Sequence, residues 1–596
     1  MDIIREAPIG QVIRWMTRNK VLQYPEERTD FVLPLQYQRL LKLAEETTSQ
    51  ECGASHSTSR TSEVIQIDEV SQARLLAHGV GDLESLELAR TVTTARTAPY
   101  GVARFQAEQI LEIQRTKSIP IIPQKTEDGI ILVDWYTSDD PANPQNWSTL
   151  KKSFVIFVIC MYTWVTYLSG SLFVSAEPGV EKHFGVSAIA AELGLALFVL
   201  AYGVGPLIFG PLTEIPVVGR NPVYVTTFVI YWALSFPTAT AKKFGGLLAL
   251  RFFGGLFGSA AIGIGGATIG DMLSLIYFPY GLGWWILSFW AGPAIGPSIG
   301  NFLAVGKDWR WPLWEIVWIS SPMLAIILFI TPETSTPNIL LRRANRLRKV
   351  TGNAKLKAQS EIDQRNLTAS DILFDALIKP CEITLKDPSI LFVNVYTAFF
   401  YAVYYTFFEV FPLVFPPFYG FNFGETGLAF LACCVGAIIG IISYFAYLYW
   451  YMVPDNLKKG FREQEHRLVP AIVGAFLLPI GLFLFAWTSR SSIHWIVPLI
   501  GVAIFTIGMF WIVQGLFVYI PISYPKYAAS LFTANDLVRS GLAAGCILFA
   551  RPLFINLGVH KGVTVLAGLS IMGIPGTIVM YVFGKKLRAK SKFAQS

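Results

Sequence analysis

Four ionisable side chains stand inside long apolar stretches of this sequence: Glu192, Arg251, Glu409 and Asp536. A charged group at membrane depth is costly and usually serves the passage of ions, protons or substrates. Aromatic residues surround Glu409, and an apolar environment favours the protonated form of a carboxyl group. We therefore expect Glu409 to carry a proton, with Asp536 as the second candidate. A structural hydrogen bond at the end of its helix is the alternative for Glu409.

Arg251 is the only cation of the four. We expect its charge to favour proton release from a neighbouring acid, because a cation stabilises the ionised form of a carboxyl group. A side chain that reaches back to the membrane interface is the alternative interpretation.

Opposite charges border a turn between two apolar stretches, in the sequence Gly210-Pro-Leu-Thr-Glu-Ile-Pro-Val-Val-Gly-Arg220. Glu214 and Arg220 lie in this turn, and Asp271 ends a later stretch that should reach the same membrane face. Small residues at the turn allow two helices to approach closely. We expect Glu214, Arg220 and Asp271 to form a charged latch that stabilises one conformation. An ordinary interfacial salt bridge is the alternative.

Glycine recurs every four residues in the fifth apolar stretch, at Gly292, Gly296 and Gly300, and Pro293 and Pro297 accompany it. One helix face therefore lacks side chains, so another helix can pack closely against it. Each proline removes a backbone donor and bends the helix. We expect this segment to act as a hinge for a change between two conformations.

Aromatic residues make up 14% of the chain, and many of them lie in the apolar stretches. A cavity lined by aromatic side chains suits varied amphipathic compounds, because stacking and dispersion require no fixed hydrogen-bond pattern. Aromatic residues in membrane helices also pack against neighbours or face lipid, and that alternative stays open for each one. The residues that we expect to line a substrate cavity are Glu409, Asn394, Tyr404, Tyr405, Gln514, Trp511, Asn535 and Asp536.

The elements that must position these groups are apolar segments, each long enough for a bilayer core of about 30 Å. Hydrophobic residues make up 53% of the chain and charged residues only 15%, whereas soluble proteins carry about a quarter charged residues. The sequence therefore predicts an all-α membrane protein with 12 transmembrane helices. The predicted spans, numbered 1 to 12 below, are residues 153–174, 188–209, 222–240, 244–267, 281–303, 312–331, 390–411, 426–450, 468–487, 493–519, 527–550 and 562–583.

A long polar stretch, Pro332 to Asp387, separates six predicted spans from the other six, which indicates two six-helix bundles with a site between them. Lys and Arg are concentrated in this stretch, in the loop between spans 8 and 9, and in the tail. By the positive-inside rule, both termini are predicted to be cytosolic. The segment from Thr47 to Glu63 is predicted to be disordered. The predicted regions are a partly disordered cytosolic N-terminal region (1–150), a first bundle (151–331), a cytosolic central loop (332–387), a second bundle (388–584) and a basic cytosolic tail (585–596).

Several classes of function find no support in the sequence. The chain has no Walker A sequence, so we expect no ATP drive. Its six histidines have no metal-ligand spacing, and no cluster of catalytic side chains is visible, so we expect neither enzymatic activity nor a cofactor or metal. The net charge of +7 is explained by basic loops at anionic lipid and does not indicate nucleic-acid binding. An exporter, an importer of a nutrient and a receptor on a transporter fold are the remaining alternatives.

Three of these patterns together resemble the major facilitator superfamily. The segment from Gly210 to Arg220 is similar to its motif A, Arg251 to Gly258 to motif B, and Gly292 to Pro297 to motif C, the antiporter motif. Phe408-Glu-Val-Phe-Pro412 and Ala534-Asn-Asp-Leu-Val-Arg539 extend the resemblance to the fungal drug:proton antiporters with twelve spans. The two ends of the chain resemble the benomyl- and fluconazole-resistance branch of that family.

The resemblance implies a major-facilitator fold and a proton-coupled exporter that works by alternating access in the plasma membrane of a fungal cell. It implies small amphipathic substrates such as azole antifungals, benomyl-like fungicides or cycloheximide, and a monomer surrounded by membrane lipid. A transporter of one natural metabolite, such as a polyamine or a toxin, is the alternative on the same fold. The chain departs from motif A at Glu214, where the superfamily prefers Asp, and at Asn221-Pro222, which replace basic residues.

Overall fold

The computed structural model describes residues 2–41, 102–113, 118, 120–126, 128–365, 369–525 and 527–594. The segment predicted to be disordered, Thr47 to Glu63, lies outside them. The chain divides into two compact units. The first unit comprises Met1–Val12, Thr149–Thr334 and Thr368–Ser596, and the second comprises Ile13–Ser148 and Ser335–Leu367.

Each of the twelve predicted spans coincides with a helix of the first unit. Ten of these helices are long and apolar enough to cross a membrane. Spans 3 (Asn221–Ala239) and 5 (Phe278–Gly306) are also helical, and they are less apolar because Tyr, Trp, Gly and Pro replace aliphatic residues. The ten are span 1 (Thr149–Phe184), span 2 (Ala188–Glu214), span 4 (Phe244–Met272), span 6 (Trp311–Ile330), span 7 (Pro388–Tyr419), span 8 (Phe423–Lys459), span 9 (Gln464–Thr488), span 10 (Ile496–Ser523), span 11 (Ala528–Leu557) and span 12 (Val559–Lys590).

Several spans are composite helices with local breaks. Span 1 consists of the helix Thr149–Leu172, a 3-10 turn (Val174–Ala176) and the helix Glu177–Phe184, which ends at Gly185 with a left-handed φ of 66°. Span 4 is interrupted at Ser259 and span 12 at Met572, and span 8 contains a π turn, Leu448–Met452. The extension of span 1 matters for the site because it carries acids beyond the predicted end at residue 174.

The spans pack in a pattern that joins the first six to the last six. Span 2 packs against span 11, and span 5 packs against both span 1 and span 8. Span 7 packs against span 11, and span 9 against span 10. We call the side where span 1 begins at Thr149 the terminal face, and the side where span 1 ends the opposite face. Large apolar side chains such as Ile442 and Phe476 remain exposed on the outer surface, as lipid-facing residues do.

The second unit has its own small hydrophobic core. The helix Thr336–Thr351, which we call the loop helix, packs there with two short parallel strands, β1 (Ile131–Leu132) and β2 (Leu356–Lys357). The shared core is formed by Tyr37, Leu40, Ile121, Ile131, Val133, Trp135, Leu340, Leu341, Ala344, Leu347, Leu356 and Ala358. Residues from the N-terminal region therefore fold together with the central loop. The second unit also contains the helices Val102–Ile113 and Gln359–Asp363, and the helix Pro8–Met16 crosses the boundary between the units. The helices Asp2–Glu6 and Ala369–Lys386 belong to the first unit.

A buried ion network fixes the loop helix to the N-terminal region of the second unit. Arg343 Nη1 donates to Asp140 Oδ2 at 2.7 Å, and Arg346 Nε donates to Glu26 Oε2 at 3.1 Å. Tyr136 Oη also donates to Glu26, at 2.9 Å. Burial by itself would raise the pKa of Asp140, but the Arg343 guanidinium and two backbone N–H donors outweigh burial and hold the pKa below its ordinary value.

We expect Asp140→Asn to destabilise the second unit by about 1.5–3 kcal/mol, because a buried guanidinium loses its hydrogen-bonded carboxylate and keeps only the longer ion pair of Arg343 Nε with Glu26 Oε1, at 3.4 Å. Since the folded pKa of Asp140 is depressed, its stabilisation is present above the unfolded pKa of about 4 and is lost as the pH falls further. Limited proteolysis of the full chain across pH measures this effect. The exposed neighbour Asp139 supplies the matched control, Asp139→Asn, which should change stability by less than about 0.5 kcal/mol. Equal sensitivity of the two variants would contradict the assigned network.

Candidate functional site

A charged latch lies at the terminal face. Arg220 Nε and Nη2 donate to the Asp271 carboxylate at 2.5 and 3.2 Å. The backbone N–H groups of Arg220 and Asn221 donate to Glu333, each at 3.1 Å. The latch thus connects the turn after span 2, the end of span 4 and the segment after span 6. Glu214 is exposed and, among the described residues, forms no ion pair with Arg220.

Arg251 of span 4 is buried, with 2% of its surface exposed. Its three nitrogens donate to backbone carbonyls: Nε to Gly194 at 3.1 Å, Nη1 to Ser169 at 3.1 Å and Nη2 to Gly170 at 3.3 Å. Ser169 and Gly170 lie in the last turn of the helix Thr149–Leu172, where helices have unpaired carbonyls and favour a cation. No ion pair joins Arg251 to a carboxylate in the described chain. Arg251 therefore holds spans 1, 2 and 4 together.

Two phenylalanine rings enclose the Arg251 guanidinium. Its Cζ atom lies 4.1 Å from the ring centre of Phe198 and 4.6 Å from that of Phe173. Both distances fall within the range of cation–π attraction. Arg251 also interacts electrostatically with the Glu177 carboxylate without direct contact. Glu177 lies in the last part of span 1, on the side of the opposite face.

The glycine face of span 5 packs against span 1. A Cβ atom at Gly292 would lie 2.7 Å from Tyr167, one at Gly296 would lie 1.9 Å from Ser171 Oγ, and one at Gly300 would lie 2.4 Å from Ser175 Oγ. The contacted residues recur every four positions, as the glycines do. Only glycine allows two helices this close.

Pro293 and Pro297 are buried within span 5 beside that face. The same helix contacts span 8 on its other side, where Ser298 Oγ donates to the Gly427 carbonyl at 2.9 Å. Asn301 Nδ2 donates to the Phe423 carbonyl at 2.8 Å. Span 5 is therefore held between a helix of the first six and a helix of the last six, which is where a hinge would act.

A buried cluster of tyrosines joins the two sets of spans at the centre of the unit. Tyr202 Oη of span 2 lies 2.5 Å from Tyr401 Oη and 2.9 Å from Tyr405 Oη of span 7. Arg539 of span 11 bonds to Asp536 on its own helix and donates to Tyr167 Oη of span 1 at 3.3 Å. We call these six residues the central cluster.

Arg539 is the most buried charge of the central cluster, with 1% of its side chain exposed. Its Cζ atom lies 4.5 Å from the ring centre of Tyr401 and 5.2 Å from that of Phe289. Its Nε and Nη1 atoms have no acceptor among the described residues. Because Asp536 is the one carboxylate that pairs with it, protonation of Asp536 would leave a buried guanidinium without a counter-ion, which is destabilising.

Helices of the first six spans approach helices of the last six closely between the central cluster and the terminal face. A Cβ atom at Gly203 of span 2 would lie 2.4 Å from Ser540 of span 11, and one at Gly210 would lie 3.2 Å from Thr533. On the other side of the unit, a Cβ atom at Gly283 of span 5 would lie 2.6 Å from Phe445 of span 8. These contacts bring the two sets of spans together on the terminal side of the central cluster.

A pocket of about 350 Å³ lies toward the opposite face, where spans 1 and 2 border spans 7 and 11. Glu177 and Glu409 line it, each 9% exposed, and Glu192 lines it at 2% exposure. Glu181 and Arg551, both half-buried, complete its charged groups. We call this the acidic pocket. Its other lining residues are Val174, Pro178, Ala188, Pro297, Asn301, Phe408, Pro412, Leu413, Phe423, Thr426 and Phe430.

The remaining residues predicted for a substrate cavity lie elsewhere in the first unit. Asn394 and Asn535 are buried and bonded to each other, at 3.0 Å. Tyr404 Oη donates to the Trp290 carbonyl at 3.1 Å, beside the central cluster. Gln514 is fully buried near Gly283, and Trp511 Nε1 donates to span 8. Glu409 is thus the one residue of that predicted set that lines the acidic pocket, while Tyr405 and Asp536 belong to the central cluster.

Sequence reasoning missed several members of both sites. Glu177 and Glu181 lie beyond the predicted end of span 1, and Arg551 lies just past the predicted end of span 11. Arg539 had a usable signal, because Asp536 and Arg539 are three residues apart and therefore lie on one helix face. No sequence signal pointed to Glu333, because it accepts hydrogen bonds from backbone N–H groups of a turn more than a hundred residues earlier in the chain.

Comparison with known proteins gives a consistent family match. The profile of a family described as "Major Facilitator Superfamily" matches residues 159–545, more than half of the chain. The chain is 44% identical over 472 residues to "MFS-type transporter pyvG" of Aspergillus violaceofuscus, covering 79% of this chain and 87% of that protein.

It is 36% identical over 471 residues to "Fluconazole resistance protein 1" of Saccharomyces cerevisiae, covering 78% of this chain and 86% of that protein. Among solved structures, the human organic anion transporter MFSD10 (TETRAN) matches with a TM-score of 0.53 and 16% identity. This match covers 72% of this chain and 99% of that one. Because the identity is low, the match is evidence for a shared fold alone.

Proposed function

Since this chain belongs to the Major Facilitator Superfamily, we propose that it is a proton-coupled exporter of structurally varied amphipathic compounds from a fungal cell. The similarity to a relative named for fluconazole resistance supports azole antifungals as substrates. The resemblance of the sequence motifs extends the expected range to benomyl-like fungicides and cycloheximide. The protein is multi-pass, and we place it in the plasma membrane as a monomer with both termini in the cytosol.

The observation that carries this proposal is the position of a buried, charged cluster between the two sets of spans. Arg539 and Asp536 lie where spans 1, 2, 7 and 11 meet, between the close helix contacts on the terminal side and the acidic pocket. With the terminal face in the cytosol, this conformation is closed to the cytosol and has its pocket toward the outside. Such an arrangement suits alternating access, in which the bundles close one side as they open the other.

In this proposal, a proton that binds to Asp536 couples the proton gradient to the contact between the two six-helix bundles. A neutral Asp536 no longer balances Arg539, so the contact that closes the cytosolic side loses stability. Glu409 in the acidic pocket is reachable from the outside and is the first acceptor for an incoming proton. The glycine face of span 5 allows the bundles to move, and the latch between Arg220 and Asp271 favours the state that is closed to the cytosol. The proton gradient supplies the drive, and we propose no cofactor.

Drug export can be tested in yeast cells that lack their major pumps. Cells that express the full chain should tolerate several chemically unrelated inhibitors and should lose a labelled azole faster than cells with the empty vector. Arg251→Ala, a variant that we expect to be inactive, is the matched control once its amount in the membrane equals that of the wild type. Protection against a single compound would favour the alternative, a transporter of one natural metabolite, and protection against none would contradict the proposal.

The latch gives a paired prediction within this mechanism. We expect Asp271→Asn to lower azole export several-fold, because it removes a charge-assisted contact of about 1.5–3 kcal/mol from one conformation. Glu214→Gln should lower export much less, because Glu214 is exposed and forms no ion pair with Arg220. Efflux rates normalised to protein in the membrane compare the two. A larger loss for Glu214→Gln than for Asp271→Asn would contradict the assignment of Asp271 as the partner of Arg220 in the latch.

A further inference from the structure

The acidic pocket has an unbalanced charge. Four carboxylates line it, from Glu177, Glu181, Glu192 and Glu409, and Arg551 is the only cation among its lining residues. Glu409 and Arg551 act electrostatically on Glu192, and Glu409 and Glu192 act on Glu177. Arg251, outside the lining, also acts electrostatically on Glu177. Two guanidinium groups cannot neutralise four carboxylates, so the pocket attracts positive charge.

Glu192 is the clearest sign that the missing positive charge comes from a ligand. It is 2% exposed, and neither of its carboxylate oxygens has a hydrogen-bond donor among the described residues. Glu177 Oε1 has no donor within reach either. A buried carboxylate without a partner is costly to the fold. Such a group persists where binding requires it, as ionisable residues at membrane depth generally do.

The other walls of the pocket are apolar and aromatic. The rings of Phe408 and Phe430 stack with their centres 5.1 Å apart and their planes at 22°. Pro412 and Leu413 lie beside them. Aromatic faces attract organic cations through their quadrupole and also pack against apolar groups. The pocket therefore offers carboxylates for a charge and rings for the body of the same molecule.

The carboxylates are not arranged to bind a metal ion. Within the part of the chain that the structure describes, no group of three His, Cys, Asp or Glu residues converges as metal ligands would. A volume of about 350 Å³ is also far larger than one hydrated ion requires and falls in the range of small-molecule sites. An organic cation with a bulky apolar part fits both observations.

We propose that the acidic pocket binds the charged end of amphipathic organic cations and that such cations are a preferred substrate class of this transporter. This inference rests on the proposed export function and specifies one of its substrate classes. Glu192 and Glu409 supply the negative charge, Phe408 and Phe430 contact the apolar body, and Arg551 limits affinity so that the cation can leave to the outside.

The proposal is tested with two labelled probes, the permanent cation tetraphenylphosphonium and the neutral azole fluconazole, on the purified full chain in lipid nanodiscs. We expect Glu192→Gln to weaken tetraphenylphosphonium binding at least about tenfold relative to fluconazole binding, because it removes one partner of a buried charge pair. Arg551→Gln should strengthen tetraphenylphosphonium binding, which loss of a merely structural residue would not do. Asp308→Asn removes an exposed acid from the same face and should leave both affinities unchanged.

Misfolding is separable from lost binding in this design. Glutamine has the shape of glutamate, and Glu192 has no hydrogen bond to lose among the described residues, so the melting temperature of Glu192→Gln should be unchanged or higher. An equal loss of both probes, or no loss of either, would overturn the cation site. If yeast cells that express the wild-type chain export fluconazole but the variants never change the binding preference between probes, the cation site fails while the export function stands. If those cells export neither probe, the export function itself fails.

Discussion

Replacement of Arg251 by alanine is expected to reduce azole export to less than about a tenth of the wild-type rate while the protein still reaches the membrane. The variant removes three hydrogen bonds to the carbonyls of Ser169, Gly170 and Gly194, and each bond to a charged group contributes about 1.5–3 kcal/mol. The end of the main helix of span 1 then loses its cap, next to Glu177 at the acidic pocket. Efflux of labelled azole, normalised to the amount of protein at the cell surface, measures the effect.

Arg251→Lys separates charge from geometry. Lysine keeps the positive charge but lacks the planar fork that reaches carbonyls on two helices, so we expect export between the values of wild type and Arg251→Ala. If Arg251→Ala disappears from the membrane together with its activity, Arg251 is needed for folding and its role in transport is unsupported. Full activity of Arg251→Ala would remove it from the mechanism altogether.

The second large effect is expected for the glycine face of span 5. Gly296→Leu should abolish export, because even a Cβ atom at this position would lie 1.9 Å from Ser171 Oγ and 2.8 Å from Ser171 Cβ. Spans 1 and 5 then cannot adopt the packing seen here, and overpacking of this kind costs about 1–3 kcal/mol or more. Gly296→Ala should give a graded, partial loss. Pro297→Ala should be milder still, since packing on both sides can hold the bend.

Gly254 provides a matched control for this prediction. It is also a buried glycine within a span, but a Cβ atom there would meet its nearest neighbour, Phe198, at an ordinary 3.8 Å. We expect Gly254→Ala to retain near-normal export and Gly296→Ala to lose part of it, with both proteins present at equal levels. Normal transport by Gly296→Leu would remove the hinge from this face.

Membrane constraints explain why the spans could be predicted from the sequence. Backbone groups in lipid must form hydrogen bonds within their own helix, so an apolar run of the right length is expected to form a transmembrane helix. Spans 3 and 5 were found as well, although Tyr, Trp, Gly and Pro make them less apolar than the other ten. The hinge glycines were visible because their spacing matches a helix face. Their partners on span 1, Tyr167, Ser171 and Ser175, were not visible, since hydropathy carries no information about which helices touch.

The acidic pocket and the second unit depend on contacts that no local pattern reveals. The pocket forms only because span 1 continues through a 3-10 turn and carries Glu177 and Glu181 past its apolar part. In the second unit, Arg346 reaches Glu26 across 320 positions of sequence. The latch shows the same limit on a smaller scale: opposite charges near a turn suggested a triad, while geometry selected Asp271 over Glu214 as the partner of Arg220.

Proton coupling can be tested with one efflux measurement. Cells loaded with labelled azole are compared after addition of a protonophore and, separately, after ATP depletion with the proton gradient held constant. We expect the protonophore to stop efflux. We expect efflux to continue without ATP while the gradient lasts, because a membrane potential supplies about 2.3 kcal/mol per charge per 100 mV. Efflux that survives the protonophore but stops on ATP depletion at constant gradient would contradict proton coupling.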